Sequence, residues 1–144
     1  MAMKLSRWAP LVLVAALVYL AATRRLISVA PAALAAQSIA VILVLWARRS
    51  FPAGGFRVQA DPGCPAVLRQ GPYRFLRHPM YAAALLFLGT GIATHPAPGT
   101  LVAGVAVLLA VGMRIATEEK LLRARYPEYA AYARNTKAIL PYLL

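Results

Sequence analysis

At 144 residues the chain has the length of one domain, and its 61% hydrophobic content and mean hydropathy of +0.64 are too apolar for a soluble domain of that size. Sixteen Lys and Arg against four Asp and Glu give a net charge of +12, but these cations flank apolar segments, which is what membrane insertion selects and which sets nucleic-acid binding aside. Cys64 is the one cysteine, so no intrachain disulfide forms, and within Pro62-Gly63-Cys64-Pro65 it reads as an ordinary loop residue.

The first apolar segment, Trp8 to Ala22, reaches about 22 Å as a helix, short of the roughly 30 Å hydrocarbon core. Leu5 at one end and snorkelling Arg24 and Arg25 at the other extend it, and a retained first span is expected. A secretory signal is the rival, since Met1 to Arg7 is basic and Leu11 to Leu20 is apolar. The second segment, Val29 to Ala47, is long enough to cross, with Gln37 and Ser38 as its polar interruptions and Trp46 at an interface. Arg48 to Leu76 is polar, rich in Gly and Pro, and includes Asp61, so it is predicted to be an irregular extra-membrane loop. Loops of that length are usually functional.

The loop ends in Gly71-Pro72-Tyr73-Arg74-Phe75-Leu76-Arg77-His78-Pro79-Met80-Tyr81, denser in hydrogen-bond donors and rigid joints than a connection requires. Proline disfavours the helical region for the residue before it, so Gly71 and His78 are expected to turn or extend, with a helix starting at Pro79. His78 and Arg77 then sit at a helix N-terminus, where free N–H groups and partial positive charge suit a carboxylate or phosphate. The competing interpretation is an interfacial loop whose arginines face lipid headgroups.

Pro79 to Thr94 is the third apolar segment, with Gly89 and Gly91 available for close helix contact. A tight turn follows at His95-Pro96-Ala97-Pro98-Gly99, where His95 reads as structural or solvated. The fourth segment, Thr100 to Ala116, carries Ala103, Gly104, Ala106 and Ala110 for packing, and Arg114 marks its end. Glu118 to Leu144 alternates charge with Leu and Tyr and is predicted to form interfacial helices divided at Pro127, with Tyr129, Tyr132 and Thr136 on one face.

The fold expected is an all-α, polytopic helical membrane protein of four spans plus cytoplasmic C-terminal interfacial helices. It forms a single domain over 1–144: two N-terminal spans in 1–47, a cytoplasmic loop in 48–78 and a core in 79–144. Of the sixteen Lys and Arg, only Arg24 and Arg25 fall on the far side, so the positive-inside bias puts both termini, the loop and the tail in the cytoplasm.

Glu118 and Glu119 are two of the four acidic residues. Arg114 precedes Glu118 by four and Glu119 precedes Arg123 by four, which allows two ordinary helical ion pairs. Adjacent carboxylates point about 100° apart on a helix, so one can instead face the bundle. No His/Cys set has zinc spacing, no glycine-rich phosphate loop is present, and no Ser/His/Asp set is credible. The apolar segments contain no carboxylate, which counts against a proton-coupled transporter.

Gly71-Pro72-Tyr73-Arg74-x-x-Arg77-His78-Pro79-x-Tyr81, then a span, a turn, another span, and Glu118-Glu119-x-x-Leu122 with Tyr129, Tyr132 and Pro141, resembles the isoprenylcysteine carboxyl methyltransferase family and its phospholipid methyltransferase relatives. The resemblance covers Val67 to Leu144. It implies an integral membrane enzyme using S-adenosylmethionine, with Tyr73, Arg77, His78, Pro79, Tyr81, Glu118, Glu119, Tyr129 and Tyr132 around the cofactor and Arg77, Glu118 and Arg134 in catalysis. No metal is implied. The cofactor carboxylate would suit Arg77, His78 and the helix end, and its ammonium and ribose hydroxyls would suit Glu118 or Glu119.

The chain departs from the family pattern at Ala83, at Tyr126-Pro127 and at Ala138, where glycine, Phe-Gly and a basic residue are frequent; Lys137 or Arg134 would have to replace that basic residue. The implied acceptor is lipophilic and reached from the membrane lipids, a prenyl-cysteine-like carboxylate or thiol first and a phospholipid amine as the alternative. A nicotinamide-dependent reductase (NADPH) and a non-enzymatic scaffold or transporter are the other classes.

Overall fold

The computed structural model describes residues 8–51 and 67–139. Asp61, Cys64, Pro141 and most of the expected loop lie outside them. Within the described residues the chain is all helical: α1 Ala9–Ala22, α2 Pro31–Arg49, a 3-10 turn over Gly71–Arg74, α3 Pro79–Thr94, α4 Pro98–Arg125 and α5 Tyr129–Asn135.

The four longer helices each have a proline in the first turn, where the missing N–H costs nothing and φ is already set. At the end of α1 the Arg24 N–H donates to the Ala21 carbonyl and the Arg25 N–H to the Leu20 carbonyl. This is a Schellman closure with Arg24 at φ 56, where glycine is usual. Thr100 fastens the start of α4: its hydroxyl accepts the Ala97 N–H at 2.9 Å and donates to the His95 carbonyl at 3.0 Å. The His95 ring folds back to within 3.2 Å of the Gly91 carbonyl, a local structural role.

The principal pairings are α2 on α3, α1 on α4, and α3 on α4. Ala16 and Leu20 of α1, Leu88 of α3, and Val107 and Val111 of α4 make the core. Gly91 is where the connection after α1 crosses α3, since a Cβ there would stand 2.7 Å from the Leu26 carbonyl oxygen and 2.9 Å from that of Arg25. Gly89 meets nothing within 4 Å, so of the two glycines expected to permit close contact only Gly91 does.

Two helices are long and apolar enough to cross a membrane, α2 and α4, with mean hydropathies of 1.6 and 2.0. Only 22% and 28% of their apolar windows are buried, whereas a core helix of a soluble protein hides most of its surface. Val102, Leu109 and Ile42 point outward, as side chains facing lipid do. α1 and α3 are shorter apolar helices.

The sequence ended the fourth segment at Ala116 and made Glu118 onward interfacial. Instead α4 runs unbroken for 28 residues, about 42 Å. The residues past Ala116 are strong helix formers tied by the Arg114–Glu118 and Glu119–Arg123 pairs. The helix stops only at Tyr126, held extended (φ −120, ψ 108) before Pro127.

Candidate active site

The motif stretch is folded by its own breakers. Gly71 has φ +56, and a Cβ on it would fall 2.0 Å from Ser50 Oγ at the end of α2. Only glycine fits there, and it starts the 3-10 turn that buries Pro72 and Tyr73. Phe51 stacks edge-on against Tyr73, 5.5 Å between centroids, and the Tyr73 carbonyl accepts the Tyr132 hydroxyl at 2.6 Å.

The chain then pairs with the segment after α5. Lys137 N–H donates to the Phe75 carbonyl at 3.0 Å, Arg77 N–H to the Lys137 carbonyl at 2.7 Å, and His78 N–H to the Ala138 carbonyl at 3.0 Å. Leu76 and Lys137 thus form a parallel bridge. Ala138, where the family pattern frequently has a basic residue, contributes through its backbone. His78 caps α3 in a non-helical conformation and Pro79 begins it, fully buried.

Glu118 and Glu119 reach this corner from α4. Glu118 Oε1 accepts the Tyr81 hydroxyl at 2.7 Å and Arg114 Nε at 2.8 Å. Glu119 Oε1 accepts Arg77 Nε at 2.7 Å and the Tyr129 hydroxyl at 3.1 Å, and its Oε2 accepts Arg123 Nη2 at 3.2 Å. The buried His78 ring lies between them, Nδ1 3.6 Å from Glu118 Oε2 and Nε2 3.3 Å from Glu119 Oε1. The expected division, one carboxylate facing the bundle and the other in an ordinary surface pair, is not what forms: both face the motif and both remain in their helical pairs.

Arg77 also donates to the carbonyls of Ala133, at 2.8 Å, and Thr136. It thereby satisfies C-terminal carbonyls of α5, which have no partner within their own helix. Tyr129 and Tyr132 are buried over the corner with their rings 5.7 Å apart. Burial, and then the charge of Glu119, push the Tyr129 phenol well above its ordinary range. Burial pushes Tyr132 up to about 12. Both stay protonated donors at neutral pH.

Seven of the residues singled out in the sequence therefore converge: Arg77, His78, Tyr81, Glu118, Glu119 and Tyr129 by side chain, with Pro79 setting the helix end. Tyr73 and Tyr132 form the adjoining layer. Arg134 is exposed on α5 and joins none of these contacts. The residue the sequence undervalued is Arg114, which is only 4% exposed and donates from Nε to both Glu118 and the Tyr81 hydroxyl, the latter at 3.0 Å. Its signal was a lone cation at the edge of an apolar segment. No group of His, Cys, Asp and Glu suited to a metal ion occurs among the described residues.

A family model described as phospholipid methyltransferase matches residues 27–129, from before α2 into α5. The chain belongs to the phospholipid methyltransferase family. Together with the outward apolar faces of α2 and α4, this makes it a membrane protein of a methyltransferase family. Two curated relatives carry other names. One is a cobalt-zinc-cadmium resistance protein of Cupriavidus metallidurans, 40% identical over 78 residues, 54% of this chain and 36% of that protein. The other is a nickel-cobalt-cadmium resistance protein of Alcaligenes xylosoxydans xylosoxydans, 34% identical over 74 residues, 51% of this chain and 35% of that protein. The chain spans about a third of the length of each relative. No solved structure matches it.

Proposed function

We propose that this membrane methyltransferase uses S-adenosylmethionine and methylates a lipophilic acceptor. The observation that carries the proposal is the meeting of Glu118 and Glu119 with His78, Tyr81 and the start of α3 beneath α5, directly beside the apolar core. That donor set fits the cofactor: carboxylates for an ammonium and for ribose hydroxyls, a histidine and a helix N-terminus for a carboxylate. Sequence resemblance adds Arg77, Tyr73, Pro79, Tyr129 and Tyr132 to the group that would hold it.

S-adenosylmethionine, when bound, would supply an electrophilic methyl group on a sulfonium, to be taken by the acceptor's nucleophile as the carbon–sulfur bond breaks and its electron pair leaves on sulfur as the neutral thioether. The protein's task is alignment and exclusion of water. In this reading Arg77 fixes Glu119 and holds α5 as a cap. Tyr81 and Arg114 hold Glu118 in place through hydrogen bonds to Oε1, so that Glu118 can orient the acceptor or take its proton. Arg134 is assigned to the rim of the site, where an acidic headgroup would approach.

Tyr81 and Ile115 pack on the core shared by α1, α3 and α4, so an acceptor's chain would lie among apolar helices and enter sideways from the bilayer. We favour four spans, with α1 and α3 crossing untilted and completed by flanking residues such as the snorkelling Arg24 and Arg25, and a site facing the cytoplasm as the basic residues indicate. A prenyl-cysteine-like carboxylate or thiol is the acceptor proposed first, and a phospholipid amine second. No metal-ion role is carried over from the relatives' names.

The test is transfer of labelled methyl from S-adenosylmethionine to acceptors of graded chain length by protein in lipid nanodiscs. Transfer should rise as a prenyl or acyl chain lengthens. Activity confined to water-soluble acceptors would contradict lateral entry.

A further inference from the structure

Gln37 and Ser38 are the polar interruptions of α2, and the site above uses neither. Gln37 is 4% exposed. Its Nε2 donates to the Leu26 carbonyl at 2.7 Å and lies 3.5 Å from the Phe87 carbonyl. Its Oε1 is buried without a hydrogen-bond partner. Reversing the amide does not help, because the oxygen would then face two carbonyl oxygens. The acceptor is left over in either orientation, and a buried unpaired acceptor is the exception that calls for a partner.

Gln37 lines a groove of about 340 Å³ between α2 and α3, walled by Ile27, Leu34, Val41, Ile42 and Phe87, with Ser38 beside it. It is a shallow depression open to the outer surface, suited to a chain lying along the helices, and not an enclosed cavity. It is not the methyl-transfer corner. α3 turns Leu85, Leu88 and Ile92 toward α1 and α4, whereas Phe87 looks to α2. Phe87 also lies six residues beyond Tyr81, about 9 Å along the helix.

We propose that this groove is a lipid-binding site selective for an apolar chain bearing a hydroxyl or amide N–H, which donates to Gln37 Oε1. Plain hydrocarbon fills the apolar walls but leaves the amide oxygen unpaired, and a carboxylate or phosphate ester brings only acceptors. Leu34, Val41 and Ile42 are exposed on the outer surface of α2, so the groove opens toward lipid, the phase in which such a ligand dissolves.

The experiment uses the full chain in phosphatidylcholine nanodiscs without S-adenosylmethionine, which separates its outcome from that of the methyl-transfer proposal. The probes are a long-chain alcohol carrying a photoreactive diazirine and the methyl ether of the same molecule. Mass spectrometry maps the labelled residues. The alcohol should label the groove about two- to ten-fold more than the ether, the range of one net hydrogen bond. Gln37→Met should erase that preference, and Ile42→Trp, which fills the groove from its outer lip, should suppress labelling by both probes. Equal labelling by alcohol and ether, a preference that survives Gln37→Met, or label spread evenly over all lipid-facing helices would overturn the assignment. Should Gln37→Met fail to fold, the wild-type comparison and Ile42→Trp decide it.

Discussion

Arg77 and Glu119, 42 residues apart in sequence, meet through a 2.7 Å bond from Nε to Oε1, and the same guanidinium holds the carbonyls of Ala133 in α5 and of Thr136 just after it. One side chain thus joins the start of α3, the C-terminal part of α4 and the α5 cap. The pair is mostly shielded, with 14% and 16% of the two side chains exposed, so its coupling is larger than that of a surface ion pair. A double-mutant cycle of Arg77→Met and Glu119→Gln, read by thermal unfolding in detergent, should give a coupling of about 1–3 kcal/mol. Additive effects would show the two groups to be energetically independent.

The two glycines of α3 should respond oppositely to alanine. Gly91→Ala drives a methyl against backbone carbonyls of Arg25 and Leu26, which cannot rotate away, and should cost about 1–3 kcal/mol. Gly89→Ala meets open space and should gain up to about 1 kcal/mol from helix propensity. Unfolding midpoints measured side by side check the order, and equal shifts would mean that the connection after α1 does not cross α3 at Gly91.

Alkaline stability follows from the two capping tyrosines. A phenol raised in the folded state contributes stability that is complete below its unfolded value, near 10.0, and is lost as pH rises toward the folded value, about 12 for Tyr132. Resistance of the cap to proteolysis should therefore fall across that window. Replacing Tyr129 and Tyr132 by Phe should flatten the fall while lowering stability at neutral pH, since the bonds to Glu119 and to the Tyr73 carbonyl go with the hydroxyls.

Membrane topology is checked with single cysteines in a Cys64→Ser background. Pro96→Cys, between α3 and α4, and Lys137→Cys, after α5, are both exposed positions. Four spans predict that an impermeant thiol reagent reaches them from opposite sides. Reaction of both from one side would remove the four-span arrangement.

Much of this was legible because local rules were left unopposed. Pro79 starts a helix, Tyr126-Pro127 stops one, and apolar runs mark the four longer helices, although the fourth begins at Pro98, inside the stretch read as a turn. The grouping of Arg77, His78, Tyr81 and the two glutamates was readable only as a resemblance between separated motifs. Three things escaped. Arg114 and Glu118 look like the end of a membrane segment, yet helix propensity and i,i+4 pairing carry α4 onward to Arg125. The backbone pairing of Leu76 with Lys137 is long-range register, which composition does not encode. Gly89 and Gly91 are alike in sequence, and only the path of the chain after α1 separates them.

The central claim is that the corner between α3, α4 and α5 holds S-adenosylmethionine. Calorimetric titration of the purified protein with S-adenosylhomocysteine and, separately, NADPH tests it most directly. Binding of the first and not the second is expected, weakened roughly 10-fold to 150-fold by His78→Ala or Glu118→Gln, as loss of one charge-assisted hydrogen bond of about 1.5–3 kcal/mol requires. Wild-type affinity in both variants, or binding of NADPH in place of S-adenosylhomocysteine, would contradict it.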